Sequence, residues 1–167
     1  MSVARRRTAL LALAAAAVAG CGFELRRPER LPFSRLALTG FQPRSPLAEA
    51  LRQALPSQVR VVAGPGEAEM VLVAIEERFD KTVAASTAGG QVREFRLRVT
   101  LRFRLDRPDG SPQLGETRLE LTRDMSYSES AALAKQAEEA GLVREMRADL
   151  AQQLLHMLAA TGPRTSV

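Results

Sequence analysis

From Glu94 to Asp106 apolar and polar residues alternate without a break. Phe95, Leu97, Val99, Leu101, Phe103 and Leu105 take the odd positions, and Glu94, Arg96, Arg98, Thr100, Arg102, Arg104 and Asp106 the even ones. Side chains alternate across a β-strand, so this spacing predicts a strand with one face covered and the other against polar surroundings. At about 3.3 Å per residue the run reaches roughly 40 Å, longer than the usual strand, and is expected to outrun whatever covers it. The segment from Glu69 to Val83 is its expected partner, joined through Gly89 and Gly90, which supply the positive-φ turn of a tight hairpin. Within that partner Met70 to Ile75 is apolar on both faces, as suits a central strand. Pro108, Asp109 and Gly110 mark a turn, after which Leu119 and Leu121 alternate with Arg118, Glu120 and Thr122 as a further strand of a meander.

The flanking segments change period. Leu36, Ala37 and Leu38 predict a short strand ending at Gly40. Ser45 as N-cap and Pro46 at the first helical position open a helix whose face is Leu47, Ala50, Leu51, Ala54 and Leu55, and Pro56 ends it. Val59, Val61 and Val62 form a second short strand before the Gly64-Pro65-Gly66 loop. Ser128 or Ser130 is the expected cap of a long helix carrying Leu133, Ala137, Val143, Met146, Leu150, Leu154, Met157 and Leu158 at helical spacing. Gly141 sits inside it as a candidate bend, since glycine costs a helix about 1 kcal/mol relative to alanine. The predicted fold class is α+β: a two-layer sandwich, two helices packed on one face of a mixed, mainly antiparallel sheet of four to five strands.

The amino-terminal pattern is of another kind. Arg5, Arg6 and Arg7 precede an apolar run from Ala9 to Ala19, and Val18-Ala19-Gly20 leads into Cys21, the only cysteine of the 167-residue chain. A basic start, a short apolar stretch and a small-residue cleavage site make a secretory signal segment. The run is about half the roughly 20 residues that a spanning helix needs. Cys21 is therefore read as the lipidation site, where a thiolate takes a diacylglyceryl group and cleavage frees the α-amine for an N-acyl chain. Several acyl chains, at about 0.8 kcal/mol per buried methylene, hold a protein to a bilayer almost permanently. The organisation that follows is residues 1–20 as lipoprotein signal peptide, 21–32 as lipidated tether, 33–161 as one sandwich domain and 162–167 as a disordered tail.

The formal net charge of +5 includes the three leader arginines, so the mature chain is only weakly basic, which weakens a nucleic-acid reading. Of the 24 basic residues only Lys81 and Lys135 are lysines. Arginine suits bidentate contact with phosphate and carboxylate, although a GC-rich genome produces the same bias. Arg96, Arg98, Arg102 and Arg104 project from one side of the long hairpin, joined near its tip by Arg93. Such a stripe suits phosphate or acidic sugar, and equally an ordinary charged surface neutralised by Glu116 and Glu120.

No catalytic constellation emerges, and the chain is not read as an enzyme. His156, the only histidine, has no second imidazole to share a metal, and no cofactor or metal site is expected beyond the lipid on Cys21. The glycine pairs do not precede a helix as a phosphate cradle must. The adjacent pairs Glu76-Glu77 and Glu138-Glu139 read as solvated surface.

These features together resemble a known family. Cys21-Gly22-Phe23-Glu24-Leu25-Arg26 is similar to the Cys-Gly-aromatic-x-Leu-Arg start of the lipopolysaccharide-assembly lipoproteins, LptE, small partners of the outer-membrane barrel LptD. Ser45-Pro46-Leu47 resembles the family's first helix opening. Gly90-Gln91-Val92-Arg93-Glu94-Phe95 resembles its Gly-Gln-x-x-Glu-Tyr hairpin, and Leu133-Ala134-Lys135 with Glu145-Met146 its last helix. The resemblance implies a plug in the LptD lumen that helps the barrel fold and assists lipopolysaccharide delivery to the outer leaflet. With Gly22 rather than aspartate after the cysteine, it implies a lipid-anchored location at the periplasmic face of the outer membrane. A barrel lumen is polar, which fits a charged sheet face. Lipopolysaccharide phosphates are expected at Lys135. The family's basic hairpin position falls at Ala88, which leaves Arg93 as the nearby substitute. Arg96, Arg98, Arg102 and Arg104 become candidates for barrel contact. The alternative functions are a generic outer-membrane lipoprotein scaffold that binds a periplasmic partner, a lipid-anchored periplasmic enzyme, and a nucleic-acid module whose target export would remove.

Overall fold

The computed structural model describes residues 30–161. Along the chain it forms β1 (Arg35–Thr39), α1 (Pro46–Ala54), β2 (Arg60–Val62), β3 (Met70–Ser86), β4 (Val92–Asp106), β5 (Pro112–Ser126) and α2 (Ala132–Ala159), with single 3-10 turns at Pro65–Glu67 and Glu129–Ala131. The five strands make one sheet in the order β2-β1-β3-β4-β5. β1 pairs in parallel with β2 and β3, whereas β3, β4 and β5 form an antiparallel meander. The expected two-layer α+β sandwich is the observed one, with both helices on one face. Cys21, the leader, most of the tether and the tail from residue 162 lie outside the described residues.

The alternation in β4 decides which face the helices cover. Leu97, Leu101, Phe103 and Leu105 are fully buried and Val99 is 1% exposed. Against them α2 turns Val143, Met146, Leu150, Leu154 and Leu158, all buried, at the three- and four-residue spacing of one helical stripe. Leu47 and Leu51 of α1 close the same core above Leu36 and Leu72. Each large apolar side chain so enclosed contributes roughly 1.5–3 kcal/mol, which makes this layer the main stabilising element. The doubly apolar start of β3 also has its cause. Leu72 and Ala74 join the main core, while Val71 packs with Ala37 and Ala68 in a small second cluster.

Local chemistry sets the boundaries of α1. Ser45 accepts from the Ala48 amide at 2.9 Å and its hydroxyl donates to Glu77 Oε2 at 2.6 Å, so the cap also ties the helix to β3. Glu77 is therefore engaged, not merely solvated, as is Glu76, which pairs with Arg102 at 3.1 Å. Gly40 closes β1 with φ +76°, and its backbone lies so near Ala74 that a Cβ there would stand 2.1 Å from the Ala74 carbonyl oxygen.

Three expectations are corrected. Neither Ser128 nor Ser130 caps α2; their hydroxyls bond each other at 2.8 Å, and Ala131, without a side-chain cap, holds that position after the 3-10 turn. Leu133 is 83% exposed and Ala137 is exposed, because in the first turns of α2 the row that faces the sheet is Lys135 and Glu139, which bond to Ser126 and Lys81, and Leu133 and Ala137 lie off that row. In the β3–β4 turn only Gly90 has positive φ; the turn closes through Thr87, whose amide donates to the Gln91 carbonyl at 2.8 Å and whose carbonyl accepts from the Gly90 amide at 2.9 Å. Gly141 leaves α2 uninterrupted as one helix. The hairpin does outrun its cover, for Val83 is 55% exposed.

Candidate functional site

The register of β3, β4 and β5 gathers the predicted arginine stripe onto the sheet face opposite the helices. Glu76, Arg78, Asp80 and Thr82 of β3 stand opposite Arg102, Thr100, Arg98 and Arg96 of β4, and Arg96 and Thr100 stand opposite Asp124 and Glu120 of β5. Arg96, Arg98 and Arg104 are exposed and Arg102 is half-buried, so none folds into the core.

The stripe is not a bare cationic surface. Arg96 forks onto Asp124 through Nε at 2.7 Å and Nη2 at 2.8 Å. Arg98 pairs with Glu120 at 3.3 Å, and Arg104 with Asp106 at 2.8 Å. Arg102 bridges two strands, reaching Glu116 at 2.5 Å and Glu76 at 3.1 Å. Arg78 pairs with Asp80 at 2.7 Å, and Arg118 with Glu120. These contacts set the titration of the face. The Asp124 carboxyl is held below its ordinary value by the hydrogen bond from Arg96, and Glu120 by that from Arg118. Arg102 is raised by its bonds to Glu116 and Glu76. The whole face is a lattice in which each arginine has a carboxylate. The alternation of β4 marked the arginines; Asp80, Asp124 and Arg118 came from neighbouring strands whose register only the fold supplies.

The hairpin end holds the second predicted group. Lys135, on the first turn of α2, donates to Ser126 Oγ at 3.0 Å and to Glu138 Oε2 at 2.8 Å, and only 19% of its side chain is exposed. Ser126 stands opposite Glu94, and the Tyr127 amide donates to the Arg93 carbonyl at 2.8 Å, so Lys135 and Arg93 belong to the same end of the sheet. Arg93 is exposed and has no ion pair among the described residues. Ala88 lies beyond it, exposed in the turn.

Sequence reasoning missed the aromatic cluster beside them. Phe95 meets Tyr127 edge-to-face with ring centroids 5.0 Å apart, and Lys81 Nζ lies 4.2 Å over the Phe95 ring while pairing with Glu139 at 2.5 Å. Lys81 falls on the helix side of the sheet, opposite Leu97, a placement its polar neighbours concealed. His156 is exposed on α2. Among the described residues no group of three histidine, cysteine, aspartate or glutamate side chains is placed to hold a metal, and no helix is long and apolar enough to cross a membrane.

With this geometry in place, comparison with known proteins gives a consistent result. The family model described as lipopolysaccharide-assembly, LptE, matches residues 33–158. The LPS-assembly lipoprotein LptE of Photorhabdus laumondii is 32% identical over 154 residues, covering 90% of this chain and 84% of the relative. Its counterpart in Yersinia enterocolitica is 31% identical over 153 residues, covering 89% and 73%. Among solved structures, the solution structure of lipoprotein B from Nitrosomonas europaea superposes with a TM-score of 0.71 at 26% identity over 83% of this chain and 91% of that one. The crystal structure of rare lipoprotein B from Shewanella oneidensis superposes with a TM-score of 0.65 at 26% identity, covering 77% and 96%.

Proposed function

The chain belongs to the LptE family of lipopolysaccharide-assembly proteins, and from that premise we propose that it is an outer-membrane lipoprotein, anchored through Cys21 at the periplasmic face, that plugs and helps assemble an LptD-type β-barrel. In this role it assists lipopolysaccharide delivery to the outer leaflet without performing chemistry itself. The observation that carries the reading is the division of the sheet: an apolar side sealed by two helices and an opposite side presenting paired ions and hydroxyls. A hydrated barrel lumen is lined by polar side chains, so a plug must offer such a surface, and one already neutralised in itself can approach a wall of either sign.

Arg96, Arg98, Arg102 and Arg104 are the barrel-contact candidates, each held in place by its carboxylate partner. At the hairpin end Lys135 and Arg93 are the candidates for lipopolysaccharide phosphate. Arg93 has its guanidinium unengaged among the described residues, whereas Lys135 must exchange Glu138 for the phosphate. The test is recovery of the barrel with the lipidated chain from native membranes. Arg98→Glu with Arg102→Glu sets new acids against Glu120, Glu116 and Glu76 and is expected to reduce recovery several-fold. Arg102→Glu with Glu116→Arg restores a pair and is expected to retain most of it. Full recovery with the double reversal would place the barrel contact elsewhere.

A further inference from the structure

We propose that the crevice between α1 and α2, continued onto β3 at Phe79, docks an acidic amphipathic segment of a partner protein, a claim that does not depend on the barrel reading. The crevice has a volume of about 630 Å³ between the outer sides of the helices, with Ala50, Ala54 and Ala148 among its walls. A second depression of about 530 Å³ continues it over the exposed ring of Phe79. Arg144 and Arg147 border both. From Gln152 to Gln136 the track follows α2 for roughly 24 Å at 1.5 Å per residue, room for about seven extended residues or four helical turns.

Charge decides what the track accepts. Its carboxylates are engaged: Glu49 with Arg52 at 3.3 Å, Glu139 with Lys81 at 2.5 Å, and Glu145 with Arg123 at 3.0 Å. Arg144 and Arg147 make no ion pair and no side-chain hydrogen bond among the described residues, whereas Arg96, Arg98, Arg102 and Arg104 of the polar sheet face each have a carboxylate partner. Two guanidiniums one helical turn apart, beside a 39% exposed phenylalanine, ask for carboxylates interleaved with apolar side chains. Both depressions are open along their length, with Ala50, Ala54 and Ala148 among the walls of the first and Phe79, Ala140 and Val143 among those of the second. An acyl chain lying there would stay in contact with water, whereas the knobs of a peptide fit.

The test uses the lipidated full chain in detergent and a fluorescent amphipathic peptide of about sixteen residues, glutamate on one face and leucine on the other. A lysine-for-glutamate peptide and monomeric short-chain phosphatidylglycerol serve as the other two probes. Saturable, salt-sensitive binding of the acidic peptide alone is expected. Arg144→Glu with Arg147→Glu is expected to weaken it by about tenfold or more. Ala148→Trp, which fills the crevice and leaves every charge in place, is expected to weaken it comparably and decides the matter if the double variant melts early. Equal binding to wild type and Ala148→Trp, or arginine-dependent binding of phosphatidylglycerol without the peptide, overturns the proposal. Barrel recovery in the same variants is expected to stay normal, which keeps the two claims separable.

Discussion

Replacing Gly40 by alanine tests the close approach of its backbone to Ala74. Two penalties combine there. With φ at +76° an L side chain occupies the left-handed region, at a cost of about 1–2 kcal/mol. The new Cβ would also stand 2.1 Å from the Ala74 oxygen, with the carbonyl carbon at 3.1 Å and the amide nitrogen at 3.2 Å, so the obstacle is main chain and cannot rotate away. Ala74 is itself fixed, standing opposite Phe103 just before the irregularity that leads to Glu76. Relief requires β1 and β3 to separate by about an ångström, an overpacking strain of roughly 1–3 kcal/mol. Gly40→Ala is therefore expected to cost about 2–5 kcal/mol in all. Gly90→Ala isolates the first penalty, because its φ is +80° and nothing lies within 4 Å; about 1–2 kcal/mol is expected. Gly66, at ordinary φ and in open space, is expected to gain about 0.4–1 kcal/mol as alanine. Urea denaturation followed by circular dichroism measures all three. A Gly40→Ala loss within about 0.5 kcal/mol of that for Gly90→Ala would refute the close approach.

The remaining predictions concern the helix, the ion lattice and the hairpin end. Leu154→Ala, at 1% exposure, is expected to cost about 2–5 kcal/mol. Leu133→Ala on the same helix, at 83% exposure, should stay within about 0.5 kcal/mol of wild type by the same urea assay; equal losses would contradict the assignment of the helix face. Asp124, Glu120, Glu69 and Asp109 are held below their ordinary values by hydrogen bonds from Arg96, Arg118, Ser34 and Ser111 respectively. Depressed carboxylates contribute stability that is present above their unfolded values and lost as pH falls through the folded ones. The urea midpoint should accordingly hold steady from pH 7 to about 5 and drop below about pH 4. A midpoint that stays level to pH 2.5 would sink that account. Lys135→Asp with Arg93→Asp is expected to weaken lipopolysaccharide binding several-fold in a filter or fluorescence assay while leaving the melting temperature within a few degrees, since Arg93 is exposed and Lys135, though half-buried, loses an ion pair whose Glu138 partner is solvent-accessible; unchanged affinity would remove both from the proposed site.

Much of this architecture is legible in period alone. The two-residue alternation of β4 fixed its face, the Ser45-Pro46 pair fixed the start of α1, and the stripe from Val143 to Leu158 fixed the face of α2. What escaped depends on neighbours distant in sequence. Leu133 fits the helical period and yet is bare, because the side of those first turns that meets the sheet is taken by Lys135 and Glu139. Ser128 and Ser130 have cap chemistry but satisfy each other. The arginine stripe was visible, with Glu116 and Glu120 as its neutralising acids, whereas the other pairings were not: Asp124 and Asp80 are 28 and 18 residues from the arginines they face, and only strand register brings them across. Lys81 was hidden for the opposite reason, since it lies over Phe95 on the helix side of the sheet, while its neighbours Asp80 and Thr82 make the segment read as solvated strand.

The two faces of the sheet are consequently one property and not two. Because successive β4 side chains point to opposite sides, a slip of one residue against β3 or β5 would carry Arg96, Arg98, Arg102 and Arg104 beneath α2 and expose Leu97, Leu101 and Phe103. Burying those charges unpaired would cost more than the fold can supply, so the hydrophobic layer holds the register and the register sets the ion pairs. Register shifts at Ala74/Glu76 in β3 and at Phe103/Leu105 in the β4–β5 pairing lie beside Phe103, which is fully buried. The polar surface offered to a partner thus inherits its geometry from a core that the partner never touches.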